Sequence, residues 1–169
     1  IYPVSRSVVG AERWSAAAAP AREIAGPDAL FEALRATAGA LPGFLHDLLR
    51  LEHRRWLLRT RAADIPSSVD NLTVNPTVTV EAMSWRGLPN LLEPEADAAT
   101  VPIDGPEHVL LWFDPQEKRV RVKAAANDDL LALKIITEGI APESVAAEGK
   151  IPVSAVDAVI DRAVRSGIV

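Results

Sequence analysis

The 169 residues are 49% hydrophobic and 24% charged, a balance that fits a globular chain with a real core and excludes disorder over most of its length. The 23 acidic side chains outnumber the 18 basic ones, for a formal charge of −5, so the molecule repels a phosphate backbone at long range and nucleic acid is not the expected partner. Without a single cysteine it has no disulfide, thiolate nucleophile or sulfur metal ligand and must fold on packing alone, which suits a reducing, cytoplasmic setting.

From Ile1 to Ala25 the text is rich in Ala, Ser and Pro, and its scattered bulky residues (Ile1, Tyr2, Val4, Val8, Val9, Trp14) set up no sustained period. It reads as an arm, lying either on a partner or over its own domain. A first helix is expected to open near Pro27, with Asp28 in its first turn and Leu30, Phe31, Leu34 and Ala38 on one face before Gly39. A second follows Pro42 and Gly43 with Phe44, Leu45, Leu48, Leu49, Leu51, Trp56 and Leu57, up to the turn Arg59 to Arg61. The short connection makes the two a helical hairpin.

Beyond Ile65, the turn formers Pro66, Ser67, Ser68 and Asn71 lead into Thr77 to Met83, where Thr and Val alternate with the period of a strand. Trp85 to Ile103, with Gly87, Pro89, Pro94 and Pro102 and the acids Glu93, Glu95 and Asp97, reads as a long surface connection. His108 to Phe113 and Arg119 to Ala124 flank the loop Asp114 to Lys118 as a β-hairpin. In the second of these strands Val120, Val122 and Ala124 fall on one side and Arg119, Arg121 and Lys123 on the other.

Three helices are expected after the hairpin. Asn127 is a candidate N-cap for the first, which holds Leu130, Leu131, Leu133, Ile135 and Ile136 and ends at Gly139; Pro142 opens a short one closed by Gly149. Ser154 with Asp157 forms a weak capping box for the last, whose Val156, Val159, Ile160, Ala163 and Val164 make one apolar stripe before Gly167. The fold expected is therefore α+β: an N-terminal helical hairpin (residues 1–64) plus a three-stranded antiparallel sheet with a C-terminal three-helix winged helix-turn-helix (residues 65–169).

The run His108 to Ala124, the helix Asp128 to Glu138 and the closing run Pro152 to Val169 resemble a PqqD-type recognition element, the module with which peptide-modifying enzymes hold the leader of a ribosomally made precursor. Upstream, Leu41 to Arg55 (LPGFLHDLLRLEHRR), Val74 to Thr77 (VNPT) and Ser84 to Leu88 (SWRGL) are similar to segments of proteins that accompany multinuclear non-haem iron oxidative enzymes acting on such peptides. The resemblance spans about Leu41 to Val169. It implies that the binding edge is Arg119, Val120, Arg121, Val122, Lys123 and Ala124, facing the last helix with Val156, Val159 and Ile160 as its floor. The three cations would favour an acidic leader; equally, they are what the solvated face of a half-buried strand carries. The hairpin residues Phe44, Leu48, Arg50, Arg54, Arg55 and Trp56 are the candidate docking surface for the enzyme, the alternative being that the hairpin packs only on its own sheet.

Other chemistries find little in the sequence. His46, His53 and His108 lack the spacing of a ligand pair, and His53 beside Glu52, Arg54 and Arg55 reads as a solvated helix face. There is no nucleophile elbow and no Gly-rich phosphate loop. Asp128 and Asp129 sit at a helix start, where the macrodipole accounts for them. No apolar run approaches the roughly 18 to 20 residues of a membrane span, and Ala16 to Ala19 is too short for a signal core.

A helix-turn-helix is first of all a DNA reader, but Ala126 to Val169 carries seven acids and four bases, with Asp157 and Asp161 one turn apart on the would-be recognition helix. The expectation is thus a noncatalytic subunit, holding no cofactor itself, that binds a leader peptide by strand addition and forms a heterodimer with an iron-dependent enzyme. A transcription regulator and an adaptor for a radical-type enzyme are the alternatives.

Overall fold

The computed structural model describes residues 1–18, 26–37, 40–60, 72–92 and 101–169. Along the chain run α1 (Pro3–Val9), α2 (Ala11–Ala18), α3 (Pro27–Thr37), α4 (Leu45–Thr60), β1 (Thr79–Arg86), α5 (Leu88–Leu92), β2 (Ile103–Asp114), β3 (Arg119–Ala124), α6 (Asn127–Glu138), α7 (Pro142–Gly149) and α8 (Val153–Arg165). The three strands form one antiparallel sheet in the order β1-β2-β3. The molecule is α+β, as its sequence indicates.

Strand alternation sends the two faces of the sheet to different helical layers. Val109 and Leu111 of β2, Val120 and Val122 of β3 and Met83 of β1 pack against Leu48, Leu51 and Leu58 of α4 and Leu88 and Leu92 of α5. Leu110 and Trp112, one residue out of phase, pack against Ala132 of α6, Val159 and Ala163 of α8, and Ile168. A leucine sealed into such a layer contributes roughly 1.5–3 kcal/mol over its exposed state. The outer side of α4 holds a further core, in which Leu45 and Leu49 meet Val9, Leu30 and Leu34.

Polar ties lock the layers together. Asp47, buried in α4, accepts the Ser84 N–H at 2.7 Å, and Gly43 lies so close to Trp85 that a Cβ there would stand 2.7 Å from its Cζ2. The LPGFLHD and SWRGL segments are therefore joined to each other. Asn75 of the VNPT segment donates to the carbonyls of Phe113 (3.0 Å) and Gly167 (2.8 Å), and its N–H reaches the Ile168 carbonyl at 2.9 Å, pinning the end of the chain to the end of β2.

Several expectations change. The described part of the N-terminal arm, residues 1–18, holds two helices. Pro3 opens α1, Gly10 at φ 90 ends it, and the buried carboxylate of Glu52 accepts the N–H groups of Val4 (2.8 Å) and Ser5 (2.9 Å). The face around Glu52 and His53 is thus not simply solvated, for Tyr2 stacks on the His53 ring and its hydroxyl lies 3.0 Å from Nδ1. Burial pushes the Glu52 carboxyl above its ordinary range and the His53 imidazole below its own.

The connection after Trp85 is shorter than expected at both ends, because β1 runs on to Arg86, β2 starts at Ile103, and α5 buries Leu88, Pro89 and Leu92 between them. Three helix ends also differ. Ala126, not Asn127, is the N-cap of α6, and its N–H donates to the Asp129 carboxylate at 2.9 Å. Lys150 rather than Gly149 takes the left-handed position after α7, and Pro152 rather than Ser154 precedes α8. Ala38, Gly39, Arg61, the run Ile65 to Asn71 with the boundary at 64/65, and Glu93, Pro94, Glu95 and Asp97 lie outside the described residues.

Candidate functional site

Of the sheet's two margins, the one the sequence singles out is β3. Its ladder with β2 is regular, from Val109 opposite Ala124 to Asp114 opposite Arg119. The Ala125 N–H donates to the His108 carbonyl at 2.8 Å, which fixes the phase of that ladder. Because hydrogen-bonded and non-hydrogen-bonded pairs alternate along antiparallel strands, Arg119, Arg121, Lys123 and Ala125 direct their main-chain groups into the sheet. Val120, Val122 and Ala124 direct theirs outward, where no group among the described residues meets them.

The side chains of β3 alternate across this margin. Val120 and Val122 are buried toward α4 and α5, so they contribute main chain, not side chain, to the open edge. The cations face the opposite layer, and each already holds a carboxylate. Glu117 bridges Arg119 (2.6 Å) and Arg121, Asp114 lies 3.4 Å from Arg121 Nε, and Asp129 lies 2.8 Å from Lys123 Nζ, which also sits 5.7 Å from the centre of the Trp112 ring. The electrostatic pull on an acidic guest is thus weaker than three bare cations would give.

The facing helix supplies less of the floor than its apolar stripe suggests. Val159 does pack beside Leu110 and Trp112. Val156, however, is fully buried against Ile135 of α6 and Ala146 of α7 and so is not available to a guest at β3, while Ile160 is half-buried against the same cluster. The residue that sequence reading missed is Trp112. It lies opposite Arg121 in the ladder, and its indole N–H donates to the Ser166 carbonyl at 3.0 Å, tying the end of α8 to the sheet. Its alternation with Leu111 in β2 was the available signal.

The candidate docking set divides in the same way. Leu48 is sealed in the core under the sheet and presents nothing outward, a correction that follows from its position on the sheet-facing side of α4. Phe44 is half-buried edge-on to Trp85 at 6.0 Å. Arg50 and Arg54 both reach Glu81 of β1, and Arg55 donates to the Leu92 carbonyl at 2.8 Å, so these three cations fasten α4 to its own neighbours. Trp56, 39% exposed and 5.8 Å from the His53 ring, and Arg54 are the members that remain surface groups.

Among the described residues no group of three or more His, Asp or Glu side chains is placed to hold a metal ion. His46 instead contacts Asp28 at 2.8 Å and the Phe31 ring. No helix among the described residues is long and apolar enough to cross a membrane. Comparison of the chain with protein-family models, with curated proteins and with solved structures returned no match in any of the three.

Proposed function

We propose that this chain is a noncatalytic partner subunit that captures the leader of a ribosomally made precursor peptide on β3 and presents it to an iron-dependent modifying enzyme. The observation that carries this reading is the outward main-chain row of Val120, Val122 and Ala124, which among the described residues lacks a partner. An extended guest satisfies such a row by becoming a fourth strand. The succession of a three-stranded sheet and three helices is consistent with a PqqD-like winged helix, with β2 and β3 as the wing.

In this scheme the subunit, cytoplasmic like its substrate, works by proximity. A tethered peptide meets the active site at high effective concentration, which lowers apparent KM more than it raises kcat. The iron belongs to the enzyme, with which this chain forms a heterodimer, and Trp56 and Arg54 are the exposed members of the docking set for that contact.

Selection of a displayed library of extended peptides against the chain, followed by rebinding to Val122→Pro, tests the proposal. Proline at position 122 deletes an outward N–H without breaking a ladder bond to β2, so the fold should survive by circular dichroism while peptide affinity falls at least tenfold. Selected peptides that bind the folded variant as well as the native chain would remove β3 as the site. Salt-dependent retardation of duplex DNA by the native chain would instead favour a transcription regulator, a reading that the exposed Asp157 and Asp161 of α8 oppose.

A further inference from the structure

The cationic side of β3 is matched by three carboxylates, and they are not equivalent. Asp114 is committed to the hairpin turn, because its Oδ1 accepts the N–H groups of Gln116 (2.9 Å) and Glu117 (3.1 Å). Asp129 is committed to the start of α6, where its Oδ2 accepts the Ala126 N–H. The Glu117 carboxylate does neither. Its two oxygens go to Arg119 Nε and Arg121 Nη2, and its side chain is 45% exposed. It stands in the turn next to the β3 margin of the sheet and holds a fork of two guanidinium groups.

We propose that Arg119 and Arg121 form a carboxylate subsite for an acidic side chain of the guest strand, and that Glu117 is an internal stand-in which the guest displaces. This deepens the reading of β3 as a strand-addition edge and rests on it. For a guest running antiparallel to β3, the positions beside Arg119 and Arg121 are non-hydrogen-bonded pairs, in which facing side chains approach most closely. A Glu or Asp there reaches the same donors that Glu117 occupies, and guanidinium binds carboxylates through two parallel hydrogen bonds. Exposed ion pairs hold loosely, so exchanging one carboxylate for another is inexpensive. The occupant is thus an extended peptide with acidic residues at alternate positions near the hairpin end of β3. Lys123, farther along, keeps Asp129 and contributes less to the choice.

The test uses two fluorescein-labelled octapeptides, one alternating Glu with Val and the other Gln with Val, titrated into the native chain, Glu117→Gln, Arg121→Gln and Val122→Pro with anisotropy as the readout. The native chain should prefer the Glu peptide. Removing the stand-in in Glu117→Gln should tighten the Glu peptide by roughly two- to fivefold, the worth of an exposed ion pair, while leaving the Gln peptide unchanged. Arg121→Gln should erase the preference. Equal or weaker Glu-peptide binding by folded Glu117→Gln, with both peptides still lost in Val122→Pro, would overturn the subsite and leave strand addition standing. No binding of either peptide to any of the four proteins would overturn both.

Discussion

The two helical layers that sandwich the sheet are fastened by different buried groups. On the side of α4 and α5 the ties are carboxyl and guanidinium groups set beside a leucine core. The carboxylates of Asp47 and Glu52 accept main-chain N–H groups from β1 and α1, and Arg50, Arg54 and Arg55 reach Glu81 and the Leu92 carbonyl. On the side of α6 and α8 the buried ties are neutral, the Asn75 amide donating to the Gly167 carbonyl and the Trp112 indole to that of Ser166, while the ion pairs Lys123–Asp129 and Arg162–Asp128 lie nearer the surface. A buried carboxylate carries a desolvation cost that an amide does not. The N-terminal layer should therefore respond to pH through Glu52, whose carboxyl burial raises above its ordinary value.

Removing a core leucine should have the largest effect. Leu48→Ala deletes a fully buried side chain beneath the sheet and is expected to cost about 2–5 kcal/mol, read from chemical denaturation. If Leu48 instead served a docking surface, the variant would keep its stability and lose only its partner.

Asn75→Ala comes next. It strips donors from the Phe113 and Gly167 carbonyls and the acceptor from the Thr77 N–H, at an expected cost of about 1–3 kcal/mol. Hydrogen exchange should be faster at Thr77, with Val4 and Ser5 in the other layer unaffected. Equal acceleration at all three would show that the layers are not separately fastened.

The smallest effect is a pH dependence that acts through Glu52. Burial raises the Glu52 carboxyl above its ordinary value in the folded state. The folded chain therefore holds this proton more tightly than the unfolded one. Its favourable contribution is complete below the unfolded value and is lost as pH rises through the raised one. Glu52→Gln has no such titration, so the melting temperature of the native chain relative to that variant should climb as pH falls from 7 toward 5. A constant difference would mean that burial does not perturb this carboxylate. His53, lowered by burial, acts in the opposite direction in both proteins and cancels in the comparison.

Much of this architecture is legible in the sequence, because short-range rules write it. The alternation of Arg119 to Ala124 specifies a strand with one apolar face, Pro27 and Pro142 mark helix starts, and Gly139 takes the left-handed position at φ 63. The Ala-rich start escapes such reading. Helices α1 and α2 are short, and what holds α1 is a carboxylate some fifty residues away, since Glu52 bonds Val4 at a separation of 48. The same limit explains the misplaced site residues. The stripe of α8 is a real apolar face, but periodicity does not say which neighbour each residue meets, and Val156 goes to α6 and α7 while Val159 goes to the sheet.

By itself, the sequence determined the class of fold, the order of the three strands and of the three helices that follow them, though not α5, and which residues of β3 share a side, all of which follow from periodicity and turn chemistry along a few adjacent residues. Only the tertiary structure decided which side of β3 is buried against α4, that each of its cations holds a carboxylate, and that the main-chain groups of Val120, Val122 and Ala124 point outward. Those outcomes depend on ladder phase and on contacts between segments distant along the chain, which no local pattern encodes.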